Sequence, residues 1–331
     1  WRVRGAERRL GRSAAQLACE RIVSHINPAL RGLPGYRRRL LPVAERILAH
    51  AESLVRTVPG PVTLDPGAWA ADPLVNALFA DLGRLRGVVS GRAVQRGLRD
   101  HPDFDGELYG ILVAMPQERR QLGMELVGDH VQRDVKQTTL SFVETEILAV
   151  ADSMEALRRG LVQPVVDLVV SIGHDRIAAR EERIASLGEA LAMLRAKLRV
   201  VNPRVGGADL ALGSSGAHLA EQERLKARIE ETERDLADAR RGIADIAEYL
   251  ACVIAELDHP ERELHLEAMD LWVDRMNVIR DRRRDGAQEI RLVRARRSDR
   301  PGRVALYVRF PRSLVLDMDA RLDEIQRQIG G

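Results

Sequence analysis

The clearest pattern in the chain is an apolar residue at every third or fourth position over two long stretches. In the first, Ile177, Ile184, Leu187, Leu191, Leu194, Leu198 and Val201 alternate these spacings, with Arg180 in the one slot that lacks an apolar side chain. In the second, Leu225, Ile229, Thr232, Leu236, Ala239, Ile243, Ile246, Leu250, Val253 and Leu257 do the same. A 3.5-residue repeat is the mark of helices that wind on one another. Between the stretches, NPRVGGADLALGSSG (202–216) stops the first helix at Pro203 and permits reversal through its glycines. The prediction is an antiparallel coiled-coil hairpin, with a second helix that runs on unbroken past the seam. Flat packing of both helices against a bundle is the alternative. Glu181, Glu182, Arg183, Arg195, Lys197, Glu230, Glu231 and Arg234 surround the apolar positions, which argues for a narrow seam and a projecting arm.

Upstream, the spacing predicts a run of medium helices. One ends at Asn27-Pro28; a second buries Leu40, Ala44, Ile47, Leu48, Ala51, Leu54 and Val55; a third starts at Asp72-Pro73 and buries Val75, Leu78, Phe79, Leu82 and Leu85. Shorter helices are expected near 91–100 and 105–130, and one long helix through Ile147, Val150, Met154, Leu157, Leu161, Val165, Leu168 and Ile172. QTTLSFV (137–143) reads as an isolated strand. Downstream of Pro260 a helix to about Ile279 is expected, then a β-hairpin, then a closing helix over 314–329. Ile290 and Leu292, and then Val304, Leu306, Val308 and Phe310, alternate with polar neighbours around the Pro-Gly turn of SDRPGR (298–303). The predicted organisation is an N-terminal α-helical domain (1–172), a hairpin (173–259) with loop 202–217 at its tip, and a C-terminal module (260–331) holding a basic β-hairpin (289–310). The fold class expected is mainly α: a helical bundle domain with an antiparallel coiled-coil hairpin and a small C-terminal helix, β-hairpin and helix module.

Composition supports helices. Aromatic residues are 3% of the 331, and charged residues are 31%. Net charge is only +3, yet residues 1–46 hold eleven arginines against three acids and residues 280–312 hold twelve against four. Two basic ends therefore flank an acidic middle, an asymmetry suited to docking on a polyanion or on the chain itself. Cys19 and Cys252 are the only cysteines and sit in helical patterns, as reduced buried thiols would. The longest apolar stretch, 161–173, contains Pro164 and Asp167 and is too short to span a bilayer. The N-terminus lacks the apolar core of a signal peptide, and a cytoplasmic chain is expected.

Candidate chemistry is sparse. On the hairpin, one face is apolar; the other carries Arg291, Arg303, Tyr307 and Arg309, and Arg294 and Arg296 extend the basic character toward the turn. Guanidinium groups beside an exposed aromatic would suit a nucleic acid or another anion, while a solvated face, or one docked on the acidic middle, is the plainer account. Leu210 and Leu212 are the apolar residues of the arm tip and the expected contacts to a protein partner. His130 and Asp134 share a helix face if 128–137 is helical, which would suit a general base, although an ordinary surface pair is the plainer account. Glu256 and His259 form the only Glu-x-x-His pair, so no carboxylate-bridged metal site is expected, and no zinc, nucleophile or phosphate-loop motif occurs. The expected protein has no cofactor and leans away from enzymes. It is an interaction or adaptor protein with a protein partner, using the arm and the basic surfaces, and the coiled coil allows pairing within one chain or swapping between two. The alternatives are a nucleic-acid-binding protein and an enzyme with a composite site.

Overall fold

Residues 107–127 and 130–151, expected to be largely helical, are two long strands. The computed structural model describes residues 2–99, 104–127, 130–201, 215–243, 245–280, 286–298 and 300–316, with backbone alone at 2–13, 125–127, 130–131 and 215–218. The chain forms two units that interleave in sequence: Trp1–Leu48 with Asp167–His259, and Ala49–Val166 with Pro260–Gly331.

The second unit is built on a six-stranded sheet. After β1 (Val62–Thr63) come β2 (Glu107–Val127), β3 (His130–Ala151), β4 (Leu264–Val273), β5 (Gln288–Arg297) and β6 (Arg303–Pro311). The order is β3-β2-β6-β5-β4, antiparallel throughout, and β1 adds a parallel pairing to β6 at Val62↔Val308. The sheet is curled. Just beyond β4, Leu140 donates its N–H to Asn277 O at 2.8 Å and Ile279 donates to Thr138 O at 2.7 Å, so the segment leaving the last strand bridges back to β3. Asp274 shapes that return by accepting from the N–H groups of Met276 and Val278 and from Arg280 Nε.

Both faces of the central strands are covered. On one side Leu112, Leu140, Phe142, Ile290, Leu292, Val304, Leu306, Val308 and Phe310 pack with four short helices. These are α3 (Pro66–Ala71), α4 (Pro73–Leu78), α5 (Leu82–Val89) and α6 (Arg92–Arg99), and Asp65, Asp72 and Asp81 cap the first three. The helix expected from Asp72 through Leu85 is thus two helices, because Asp81 offers a second N-cap that accepts from Arg84 N–H. On the other side Ile111, Val113, Val293, Ala305 and Tyr307 meet Leu157, Met154 and Leu161. A strand apolar on both faces reads as a continuous run, which periodicity cannot tell from a buried helix.

The protein is therefore mixed α/β, and the mainly α, helical-bundle, all-α reading is corrected. Ile147 and Val150 lie on β3, while Met154 starts a helix, so the three-and-four spacing crosses a strand–helix junction. QTTLSFV is part of β3, not an isolated strand. The helix expected from Pro260 to Ile279 is only α10 (Pro260–Glu263) followed by β4. A 3₁₀ turn, Arg312–Leu314, follows β6, and most of the expected closing helix lies outside the described residues.

In the first unit, α1 (Arg2–Ile26) and α2 (Tyr36–Thr57) bury Cys19, Ile22, Leu40, Ala44 and Ile47; residues 49–57 of α2 belong to the second unit. The long α7 (Met154–Val201), whose first residues also belong to the second unit, is followed by α8 (Ser215–Arg240) and α9 (Ile246–Leu257). Leu191, Ile229 and Leu236 pack together with Ile184, Leu187, Leu194 and Leu198. Arg195 reaches Glu233 and Arg180 reaches Ala239 and Arg241, so the two helices run in opposite directions. The second helix is not continuous, as the seam had implied. It stops at Arg240, turns through Gly242 at φ +84, and restarts under the N-cap of Asp245.

Candidate functional site

The six residues singled out on the hairpin do not make one surface. Strand alternation places Arg291, Arg303, Tyr307 and Arg309 toward one face of the sheet and Arg294 and Arg296 toward the other. Tyr307, expected to be exposed, is 0% exposed. Its hydroxyl donates to Val55 O at 2.7 Å and the Arg158 guanidinium lies over its ring. Burial pushes its phenol up. The face is apolar at its centre because the first turns of α7 cover it, and nothing in the alternation of β6 announces that helix.

The arginines around it are held by carboxylates. Arg303 contacts Glu144 and Glu146 of β3, Arg296 contacts Glu267 of β4, Arg309 lies 3.8 Å from Glu107, and Arg291 pairs with Glu289. The Arg296 hydrogen bond holds Glu267 below the usual carboxylate range. Arg294 is half-buried, and its Nε is buried with no hydrogen-bond partner. Most of these carboxylates come from the acidic middle of the sequence, which therefore neutralises the basic hairpin within the second unit.

Other candidates are scattered. His130 and Asp134 lie on a strand, where four residues span roughly 13 Å, so the shared helix face does not exist. Asp134 sits in a left-handed conformation, φ +57, beside a register shift. Glu256 pairs with Arg176 at 3.6 Å. Leu210 and Leu212 lie outside the described residues. Among the described residues no group of three or more His, Cys, Asp or Glu side chains could hold a metal ion, and no helix is long and apolar enough to cross a membrane.

The break between α8 and α9 was not anticipated, and it opens a cavity of about 470 Å³ lined by Glu181, Ile184, Arg240, Ile243 and Tyr249. Arg180 explains its construction. The residue in the skipped seam slot sends Nε to Ala239 O at 3.2 Å and Nη2 to Arg241 O at 2.6 Å, satisfying one carbonyl in the last turn of α8 and one just beyond it. Its Nη1 lies 3.6 Å from Cys252 Sγ. Burial pushes the Tyr249 phenol up to about 12, with the Glu181 charge adding to the effect. Burial likewise pushes Cys19 up to about 11 and raises Cys252. Glu20 moves the other way, since it accepts from Tyr36 and from Arg37 and Arg31. All these shifts move away from neutral pH.

Outside the seam, the α7–α8 pair is wet. Residues 189–200 of α7 are exposed except at Leu191, Leu194 and Leu198, and Met193 and Val200 are 61% and 84% exposed. Leu219 of α8 is exposed as well. Compared with known proteins, the chain matches no family model, no curated protein and no solved structure. One charged surface escaped the sequence reading: Arg84, Arg86, Arg92, Arg96 and Arg99 on α5 and α6 are all exposed. A count of charge over a short window would have found it, because 82–99 contains no acidic residue.

Proposed function

We propose that the protein is a non-enzymatic binding protein that engages a protein partner through the α7–α8 helix pair. The observation that carries this reading is the exposure of the pair: its apolar seam is satisfied by α7 and α8 alone, while Met193 and Val200 stand two turns apart on the solvent side of α7. Helices whose outer sides are wet add little to a core, and an apolar pair at i,i+7 on such a side offers a partner two adjacent anchors. A nucleic-acid role for the C-terminal hairpin is favoured less, because its arginines already face carboxylates and Tyr307 has no exposed ring.

The test compares partners captured by the wild type, by Met193→Ser/Val200→Ser, and by Leu210→Ser/Leu212→Ser in the segment between the two helices. Selective loss of the same captured protein in either variant, with unchanged circular dichroism, is expected. Retention of every captured protein by both variants would refute the role of the helix pair.

A further inference from the structure

We propose that the outward face of α5 and α6 binds the phosphate backbone of nucleic acid. Residues 82–99 carry five arginines and no acid. All five side chains are exposed, and none pairs with a carboxylate among the described residues, unlike Arg303 or Arg296 on the hairpin. Arginine is suited to this partner because its planar fork donates two parallel bonds to phosphate oxygens and never loses its charge.

The surface is rigidly mounted. Leu85, Val89, Val94 and Leu98 are buried in the core of the second unit. Asp81 caps α5, Ser90 at the turn between the helices accepts from Leu316 N–H, and Gln95 donates to Leu316 O. Gly97 lets α6 lie close on β3, since a Cβ there would come within 2.6 Å of Val150 Cγ2. With Val94 and Leu98 facing inward, the 3.6-residue turn puts Arg92, Arg96 and Arg99 on the opposite side of α6. They span roughly 10 Å of axis, over which one DNA strand presents about three phosphates.

The same geometry disfavours a membrane. A helix that lies on a bilayer inserts its apolar side, and here that side is already spent on the core. Contacts to phosphate carry no sequence information, so the binding is electrostatic and sequence-independent.

The experiment measures binding of the full chain to a labelled random-sequence DNA duplex, to its RNA counterpart and to anionic phosphatidylserine vesicles, at about 50 and 200 mM salt. Three to five phosphate contacts predict a loss of duplex affinity of about 40- to 500-fold over that range. Arg92→Gln/Arg96→Gln/Arg99→Gln should flatten the log–log salt slope by about 2.7, and Arg84→Gln/Arg86→Gln by about 1.8. The second variant decides the question if the first does not fold. Arg291→Gln/Arg296→Gln on the hairpin should leave the slope unchanged. Binding to both duplexes, or to one of them, with this pattern supports the proposal. No duplex binding at low salt, binding to vesicles alone, or a slope that follows the hairpin variant would overturn it. This surface belongs to a different unit from the solvent side of α7, so either proposal can fail while the other stands.

Discussion

Tyr307 shows how one residue changes role when the tertiary structure is known. Its alternation along β6 is that of a solvent-facing residue, yet the α7 side of the sheet buries it completely and its hydroxyl satisfies Val55 O. Tyr307→Phe leaves that carbonyl without its donor, and a loss of about 1–2 kcal/mol in unfolding free energy is expected from urea denaturation. Cys19 carries a second prediction. Its thiol pKa is 9.0 when free and about 11 in the fold, so the folded state retains the proton longer than the unfolded chain. Its contribution to stability is therefore complete below about pH 9 and declines as pH rises toward 11. Tyr249 adds a later decline between 10.0 and about 12. Cys19→Ala should reduce the earlier part of the slope in denaturation curves taken across this range, the remainder coming from Cys252, which burial also raises. Both native thiols should stay silent to a disulfide-exchange reagent at pH 8 until the protein is unfolded.

At the scale of elements, the join between α8 and α9 rests on one arginine. The heptad pattern passes through 241–245 without interruption, so the pattern alone predicts a single helix. Gly242 and the capping Asp245 oppose it locally, and Arg180 stabilises the break by bonding the carbonyls of Ala239 and Arg241. Arg180→Met fills the seam slot but leaves those carbonyls without the guanidinium. The expected outcome is a loss of about 1–2 kcal/mol in calorimetric stability, despite the better apolar match to the seam. An unchanged or raised stability would mean that solvent satisfies the end of α8 just as well. The seam residues themselves were legible, since Leu191, Ile229 and Leu236 are the positions the spacing selected. The strands were not. In β2 the buried segment is apolar on both faces, and beyond it Gln117, Glu118, Arg119, Arg120 and Gln121 are residue types common on helices.

For the whole molecule, pairing partners decide local stability. β2 pairs with β6 only as far as Ala114, and the segment after β4 bridges to β3 at Thr138–Leu140, opposite Glu118–Arg120; beyond that β2 and β3 continue alone to Val127↔His130, with Leu122 and Met124 64% and 67% exposed. A two-stranded ribbon is marginal in water, whereas strands held on both sides open only with the fold. Hydrogen exchange should therefore be slowest at Leu108–Val113 and Leu306–Phe310 and distinctly faster at Gln121–Met124. Equal protection in the two regions would show that something covers the ribbon. The candidate site was only partly legible for the same reason. Charge density along the sequence located the hairpin arginines, but most of their carboxylate partners are distant in the chain: Arg309 faces Glu107, and Arg303 meets Glu144 at a separation of 159.

The sequence by itself determined what depends on near neighbours in the chain. It selected the seam positions of α7 and α8, the apolar alternation of β6, and the capping of α4 by Asp72, because helix period, strand period and capping are set within a few residues. Only the tertiary structure decided which strands exist between 107 and 151, where α8 ends, and which hairpin arginines meet carboxylates. Those outcomes depend on distant segments: the cover α7 lays over Tyr307, the carbonyls Arg180 reaches, and the acids that meet the hairpin arginines.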